Sequence, residues 1–240
     1  MSEENKIVPA LDCLKKVVGS NEEVLTLLTR FHWILLLDPA SSLGHNAAVL
    51  RDIGMPKLVV SRFLMMNGYA PLTAPQRFKA IDDRALAMGF DPNKHSFGDA
   101  INSFAAVSED NWKHKVGILK KWGWSDSEFV TAFRKQPRIV LIFGKKIEGI
   151  MDLLVNMMEL KASFVAGCPY ILLYSLENRI MPLCSVVRHI VSKGLIEKES
   201  YRLGYVLRCA DECFLKAYVG KHVEIRSELM ALYSSHKKVT

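Results

Sequence analysis

Long apolar runs are missing from this 240-residue sequence. Its apolar runs, such as 34–37 and 171–174, stop far short of the ~18 residues that suggest a membrane span. Cysteine is scarce: Cys13, Cys168, Cys184, Cys209 and Cys213 are odd in number and contain no C-x-x-C pair. That argues against a disulfide scaffold and fits a reducing compartment. The start, Met1-Ser2-Glu3-Glu4-Asn5-Lys6, is acidic and polar, unlike a secretory signal or an Arg-rich transit peptide. There is no P-loop, G-x-S-x-G or H-E-x-x-H. No stretch alternates with period two for long, so no sheet is predicted, and no low-complexity linker divides the chain.

Other chemistry is equally thin. The acid pairs Asp82-Asp83 and Glu22-Glu23 sit near predicted helix starts, where acids suit the helix dipole, and make no case for catalysis. Cys209 and Cys213 are four apart with Glu212 and His222 nearby, but a metal site lacks a second recognisable ligand pair. Structural cysteine is the plainer reading. The expectation is a protein without enzymatic activity, metal or cofactor.

What is present starts with a core. Half the residues are apolar and 24% are charged, a balance that favours folding over disorder. The chain also repeats itself. Ser2-Glu3-Glu4-Asn5-Lys6-Ile7-Val8-Pro9 matches Ser175-Leu176-Glu177-Asn178-Arg179-Ile180-Met181-Pro182 at five of eight positions, with an offset of 173 residues. Gly19, Gly54, Gly89 and Gly123 are spaced 35, 35 and 34, and five such periods make the same 173. Pro137 and Pro169, 32 apart, predict a shorter next repeat.

The clearest unit begins at Gly123. Ser125-Asp126-Ser127-Glu128 is a capping box, with a hydroxyl cap and an acid three residues on. Phe129, Val130 and Phe133 follow on one helical face, and Pro137 ends the helix. After a short irregular stretch over 138–143, Ile147, Ile150, Met151 and Leu154 define a second helix. Ser20-Asn21-Glu22-Glu23, Thr73-Ala74-Pro75-Gln76 and Asp91-Pro92 are predicted to open further helices. No linker proline is matched in the repeat that starts at Gly54. The fold class is therefore an all-α solenoid of helix–linker–helix repeats of about 35 residues. It is read as one domain over 1–240, about six helix pairs that begin in mid-repeat.

These residues resemble the mitochondrial transcription termination factor family, mTERF, and its land-plant branch. The resemblance rests on Trp122-Gly123-Trp124-Ser125 through Ala132-Phe133-Arg134-Lys135-Gln136-Pro137. It continues in Cys168-Pro169, in Leu172-Leu173-Tyr174-Ser175-Leu176-Glu177-Asn178-Arg179, in Ser192-Lys193-Gly194-Leu195-Ile196 and in Cys213-Phe214-Leu215-Lys216. It implies a curved left-handed superhelix that binds nucleic acid in mitochondria or plastids and regulates organellar gene expression. Family members usually carry a transit peptide and more repeats upstream, so the chain is expected to be the C-terminal part of a longer array.

The charge has a location. The chain carries 32 Lys+Arg against 25 Asp+Glu, a net +7. Residues 113–146 alone hold nine bases, Lys113, Lys115, Lys120, Lys121, Arg134, Lys135, Arg138, Lys145 and Lys146, against Asp126 and Glu128, the same +7. Such a cluster suits a polyanion. Lys6, Arg179 and Arg188, on other second helices, are weaker candidates. A plainer reading stays open: bases near helix C-termini meet the dipole, and basic runs are often only solvated. Trp112, Trp122 and Trp124 could stack on bases. Trp112 shares a core spacing with Val116 and Leu119, and Trp124 stands where a hydrophobic staple would.

The function expected is a monomeric binder of double-stranded DNA, or of structured RNA, that regulates organellar transcription, including its termination. Two alternatives remain at this stage. One is a protein-binding solenoid scaffold. The other is an RNA-binding factor in organellar intron splicing or ribosomal RNA maturation. No membrane partner is implied.

Overall fold

The computed structural model describes residues 4–36, 39–67, 70–197 and 203–235, with side chains from Ile7 onward except those of 36 and 39–41. Lys6 and the opening of the 2–9 motif therefore lie outside the described side chains. All described regular structure is helical, with no strand. The helices are α1 Glu4–Val18, α2 Asn21–Arg30, α3 Pro39–Asp52, α4 Lys57–Met66, α5 Pro75–Ala87, α6 His95–Ala106 and α7 Glu109–Lys121. They continue with α8 Asp126–Lys135, α9 Gly144–Met151, α10 Ala162–Gly167, α11 Met181–Ser192, α12 Leu203–Arg208, α13 Asp211–Phe214 and α14 Arg226–Ser235. The chain forms two compact units, Met1–Lys113 with Phe133–Leu141, and His114–Ala132 with Ile142–Thr240.

Capping chemistry sets several helix starts. Ser125 Oγ accepts from the Glu128 amide at 3.2 Å, while the Ser125 amide donates to Glu128 Oε2 at 2.8 Å. That reciprocal pair is the predicted capping box, and its hydrogen bonds hold the Glu128 carboxyl below its ordinary pKa. Ser20 caps α2 through the Glu23 amide at 3.1 Å. Ser175 takes the Asn178 amide at 3.0 Å. Two predicted starts move. At 73–76 the helix begins at Pro75 without a side-chain cap, and Thr73 is buried instead. Asp91 spends its carboxylate on the Asn93 amide at 3.0 Å, an Asx turn, so α6 starts only at His95.

The linkers are more regular than the sequence suggests. The stretch 137–141 is a 3-10 helix, as are 32–36, 70–72 and 169–173. Pro71 lies inside the 70–72 turn, so the repeat that starts at Gly54 does have a linker proline. The repeats from Gly89 and Gly194 lack both the linker proline and the 3-10 turn: α6 and α7, like α12 and α13, are separated by two residues.

The repeat signal is a left-handed residue after the second helix of each repeat up to Gly194; the helix that ends at Val219 is followed instead by Gly220 at φ −66°. Gly19, Gly54, Gly89, Gly123 and Gly194 all have positive φ. Glu159, at φ 55°, fills the slot between Gly123 and Gly194. The 32-residue proline spacing thus reflects a short first helix, α10, and not a short repeat. A Cβ on Gly123 would meet nothing within 4 Å, so only backbone strain at φ 90° opposes it. Gly123→Ala is expected to cost about 1–2 kcal/mol. Denaturant unfolding checks this, and a cost below about 0.5 kcal/mol would show that the slot does not need glycine.

Burial follows the predicted helical faces. Phe78, Phe97, Ile101 and Phe133 fill the first unit, and Leu119, Ile147, Ile150 and Phe214 the second. One buried group opposes folding. Asp82 on α5 is fully buried, and neither carboxylate oxygen has a hydrogen-bond partner among the described residues. Burial pushes its pKa up to about 6. The folded chain therefore holds this proton more tightly than the unfolded one, and stability falls as pH rises from about 4 to 6. Asp82→Asn is expected to gain about 1–3 kcal/mol at pH 7 and almost nothing at pH 4. Urea midpoints across that range test it; an equal gain at both pH values would remove the titration from the explanation.

Candidate nucleic-acid interface

The eleven candidate cations divide by what their side chains touch. Lys115, Lys146 and Arg179 are half-buried and reach forward to a carbonyl of the next repeat. Lys146 Nζ donates to the Leu173 carbonyl at 3.1 Å, and Arg179 Nε to that of Leu207 at 3.1 Å. Lys115 Nζ makes the same bond to Ile142. Earlier repeats use the same device with other donors: Arg77 to Ala105 at 3.0 Å and Ser42 to Leu72 at 3.4 Å. Donor and acceptor stand 27 to 30 residues apart in every case.

The chemistry explains the placement. Carbonyls at the end of a helix or 3-10 turn lack an intrahelical donor, and the dipole there favours a cation. Arg179 goes further, bonding Cys209 O and pairing with the Asp211 carboxylate. Burial holds the Lys115 ammonium below the ordinary lysine pKa. These three charges are engaged in stapling one repeat to the next. The sequence gives no sign of this, because a clamp lysine and a surface lysine are the same residue until the acceptor is placed.

The other eight are exposed. In the first unit these are Lys113, Arg134, Lys135 and Arg138. Arg134 Nε donates to the Met88 carbonyl at 2.5 Å, which holds its guanidinium against the turn at Gly89. Arg138 faces Asp99, whose carboxyl is raised by burial and partly pulled back by Arg138 and His95. In the second unit these are Lys120, Lys121, Lys145 and Arg188. Lys120 pairs with Asp126 at 2.7 Å, an exposed bridge worth no more than about 1 kcal/mol. Lys113, Lys121 and Lys145 make no ion pair or hydrogen bond with any described residue.

The tryptophans fall where packing sends them. Trp124 is buried, beside the capping box. Trp112 packs edge-on against Phe133 with ring centroids 4.9 Å apart. Trp122 is half-buried and lines a shallow cleft with Lys121, Glu148 and Asp152. The most exposed ring among the described residues is one the sequence did not single out: Phe143, 83% exposed, two residues before Lys145. Ile142 is buried next to it, so the chain turns its apolar pair half inward and half to solvent. An exposed ring among cations can stack on a base. Elsewhere, Cys209 Sγ donates to the Val206 carbonyl at 3.3 Å, Cys213 is exposed, and no described cluster could hold a metal ion.

Helix–turn–helix units recurring along the chain define an α-helical repeat protein. The mTERF family model matches residues 1–215, and the chain belongs to the mTERF family. That family is one of nucleic-acid-binding helical-repeat proteins with organellar, transcription-related roles. No curated protein matches the chain. No described helix is long and apolar enough to cross a membrane.

Proposed function

We propose that this chain binds double-stranded nucleic acid, DNA foremost, and regulates transcription in a mitochondrion or chloroplast, termination included. The observation that carries the reading is the set of exposed cations within residues 113–146, three of which have no partner on the described protein. Each phosphate they neutralise would release counterions and add affinity that salt removes. Such contacts position a protein without reading sequence. The mechanism is occupancy: the bound array stands in the path of the polymerase or holds it in place. The period runs through both units, and we read 1–240 as one monomeric array without catalytic activity.

A salt titration of duplex binding tests the reading. Log affinity should fall linearly with log salt, by about 0.9 for each phosphate contacted. A flat line would sink it. Phe143 favours a second reading, in which the target is RNA with unpaired bases and the role is intron splicing or ribosomal RNA maturation. Crosslinking and sequencing of bound nucleic acid from organelles separates the two. Import of the protein into isolated organelles of each kind decides between mitochondrion and chloroplast.

A further inference from the structure

The basic segment 113–146 is not the only place where positive charge gathers. Within the first unit a cleft of about 490 Å³ opens between α2, α4 and α6. Four exposed cations ring it: Arg30 at the end of α2, Arg62 on α4, Lys94 at the start of α6, and Arg138 from the 137–141 turn. They stand 32, 32 and 44 residues apart in sequence, so no window along the chain shows them together. Asp99 is the one carboxylate in the lining; just outside it, Asp91 pairs with Lys94 at 3.7 Å, so the four cations outnumber two carboxylates.

The cleft has two kinds of wall. Lys94 and His95 bring the N-terminal end of α6, a twelve-residue helix whose cap position offers no side-chain acceptor. Helix amides and dipole at such an end favour an anion, and here they add to the cations. The opposite wall is apolar and comes from Met55, Val59 and Phe63. Gly98 lets α6 approach this wall closely: a Cβ there would come within 2.9 Å of the Phe63 ring. Arg30 is held at the rim by Met66 Sδ at 3.6 Å, with its guanidinium 5.7 Å from the Phe31 ring centroid. The exposed carbonyl end of α4 is neutralised locally, because the Asn67 amide and its Nδ2 both donate to Phe63 O, at 2.9 and 3.1 Å.

We propose that this cleft is a nucleotide site, with the phosphate among the four cations and the base or sugar against the apolar wall. Its volume lies in the range of small-ligand sites. The ligand chemistry is a phosphate ester on an apolar body. It has two sources, a free mononucleotide or one nucleotide unit of a bound strand. The site stands on its own geometry and does not depend on Lys113, Lys121 or Lys145.

The test uses the full chain and two probes, adenosine monophosphate and a fluorescent 20-base single strand. The variants are Arg62→Gln with Lys94→Gln, both exposed and therefore tolerable to the fold, and Lys121→Gln with Lys145→Gln as the comparison. Unchanged melting temperatures confirm folding of each. The cleft pair should weaken at least one probe tenfold or more. Loss of monophosphate binding identifies a free nucleotide; loss confined to the strand identifies a unit of nucleic acid. If the cleft pair binds both probes as the parent does, or the parent binds neither, the proposal is overturned. A duplex titrated alongside separates the two readings: if the cleft pair weakens a probe while the Lys121/Lys145 pair leaves duplex affinity and its salt slope untouched, the site stands and the reading of the basic segment fails instead.

Discussion

Phe133→Ala is expected to destabilise the chain by about 4 kcal/mol. The ring is fully buried at the end of α8 and meets three others. Its centroid lies 5.6 Å from that of Phe90, 5.3 Å from Phe104 and 4.9 Å from Trp112, in tilted or edge-on geometries. Truncation removes the transfer free energy of a large side chain and leaves a cavity that three rigid rings cannot collapse into. Edge-on pairs add about 0.5–1.5 kcal/mol each beyond burial, and these are lost together. The outer side of the cluster is already fixed. The Arg84 guanidinium lies 4.5 Å from the Phe104 centroid and 4.8 Å from that of Trp112, and Glu109 holds it at 3.0 Å. A loss of this size lowers the melting temperature by roughly 10 °C in a chain of this length. Phe133→Leu, which refills most of the space, should cost clearly less. A loss under about 1.5 kcal/mol in Phe133→Ala would mean that the cluster repacks and does not specify the fold.

Replacing Lys113, Lys121 and Lys145 together by Gln is expected to lower duplex affinity by about 10²–10³-fold near 0.1 M salt. Each lost phosphate contact reduces the slope of log affinity against log salt by about 0.9, so the slope should fall by nearly three. The loss should be equal for unrelated duplex sequences, since phosphate contacts carry no sequence information. Stability should scarcely change, because none of the three bonds to the described protein. Lys146→Met should show the opposite pattern. It removes the donor to Leu173 O, costs about 1–2 kcal/mol of stability, and leaves the salt slope almost as it was. Equal effects of the triple and the single change on the salt slope would dissolve the distinction between clamp and surface cations.

How much of this was legible depends on how local each signal is. Ser125 and Glu128 are three residues apart, and their reciprocal bonds follow from that spacing alone. The glycine period was legible because a left-handed turn tells on the residue that adopts it; Glu159 hid one slot by being an exception. Ile147, Ile150, Met151 and Leu154 are all buried, as a 3.6-residue period requires. The start of α6 was misplaced because Asp91 can cap a helix or close an Asx turn, and the sequence around it permits both. The cations were the hardest. Their spacing showed where charge accumulates, but not that Lys115 and Lys146 reach forward to carbonyls 27 residues away. Arg30, Arg62 and Lys94 come together only once α2, α4 and α6 are packed.

The forward-reaching clamps also give the array a direction. In each pair the donor belongs to the earlier repeat and the acceptor carbonyl to the later one. A chain cut between two such repeats has unlike ends: the upstream piece exposes an unused hydroxyl, amine or guanidinium, and the downstream piece a bare carbonyl. Two pieces can restore these bonds only head to tail and only in their original order. Polarity of this kind lets a repeat array distinguish a correct neighbour from an inverted one by hydrogen bonding alone, before its apolar faces close.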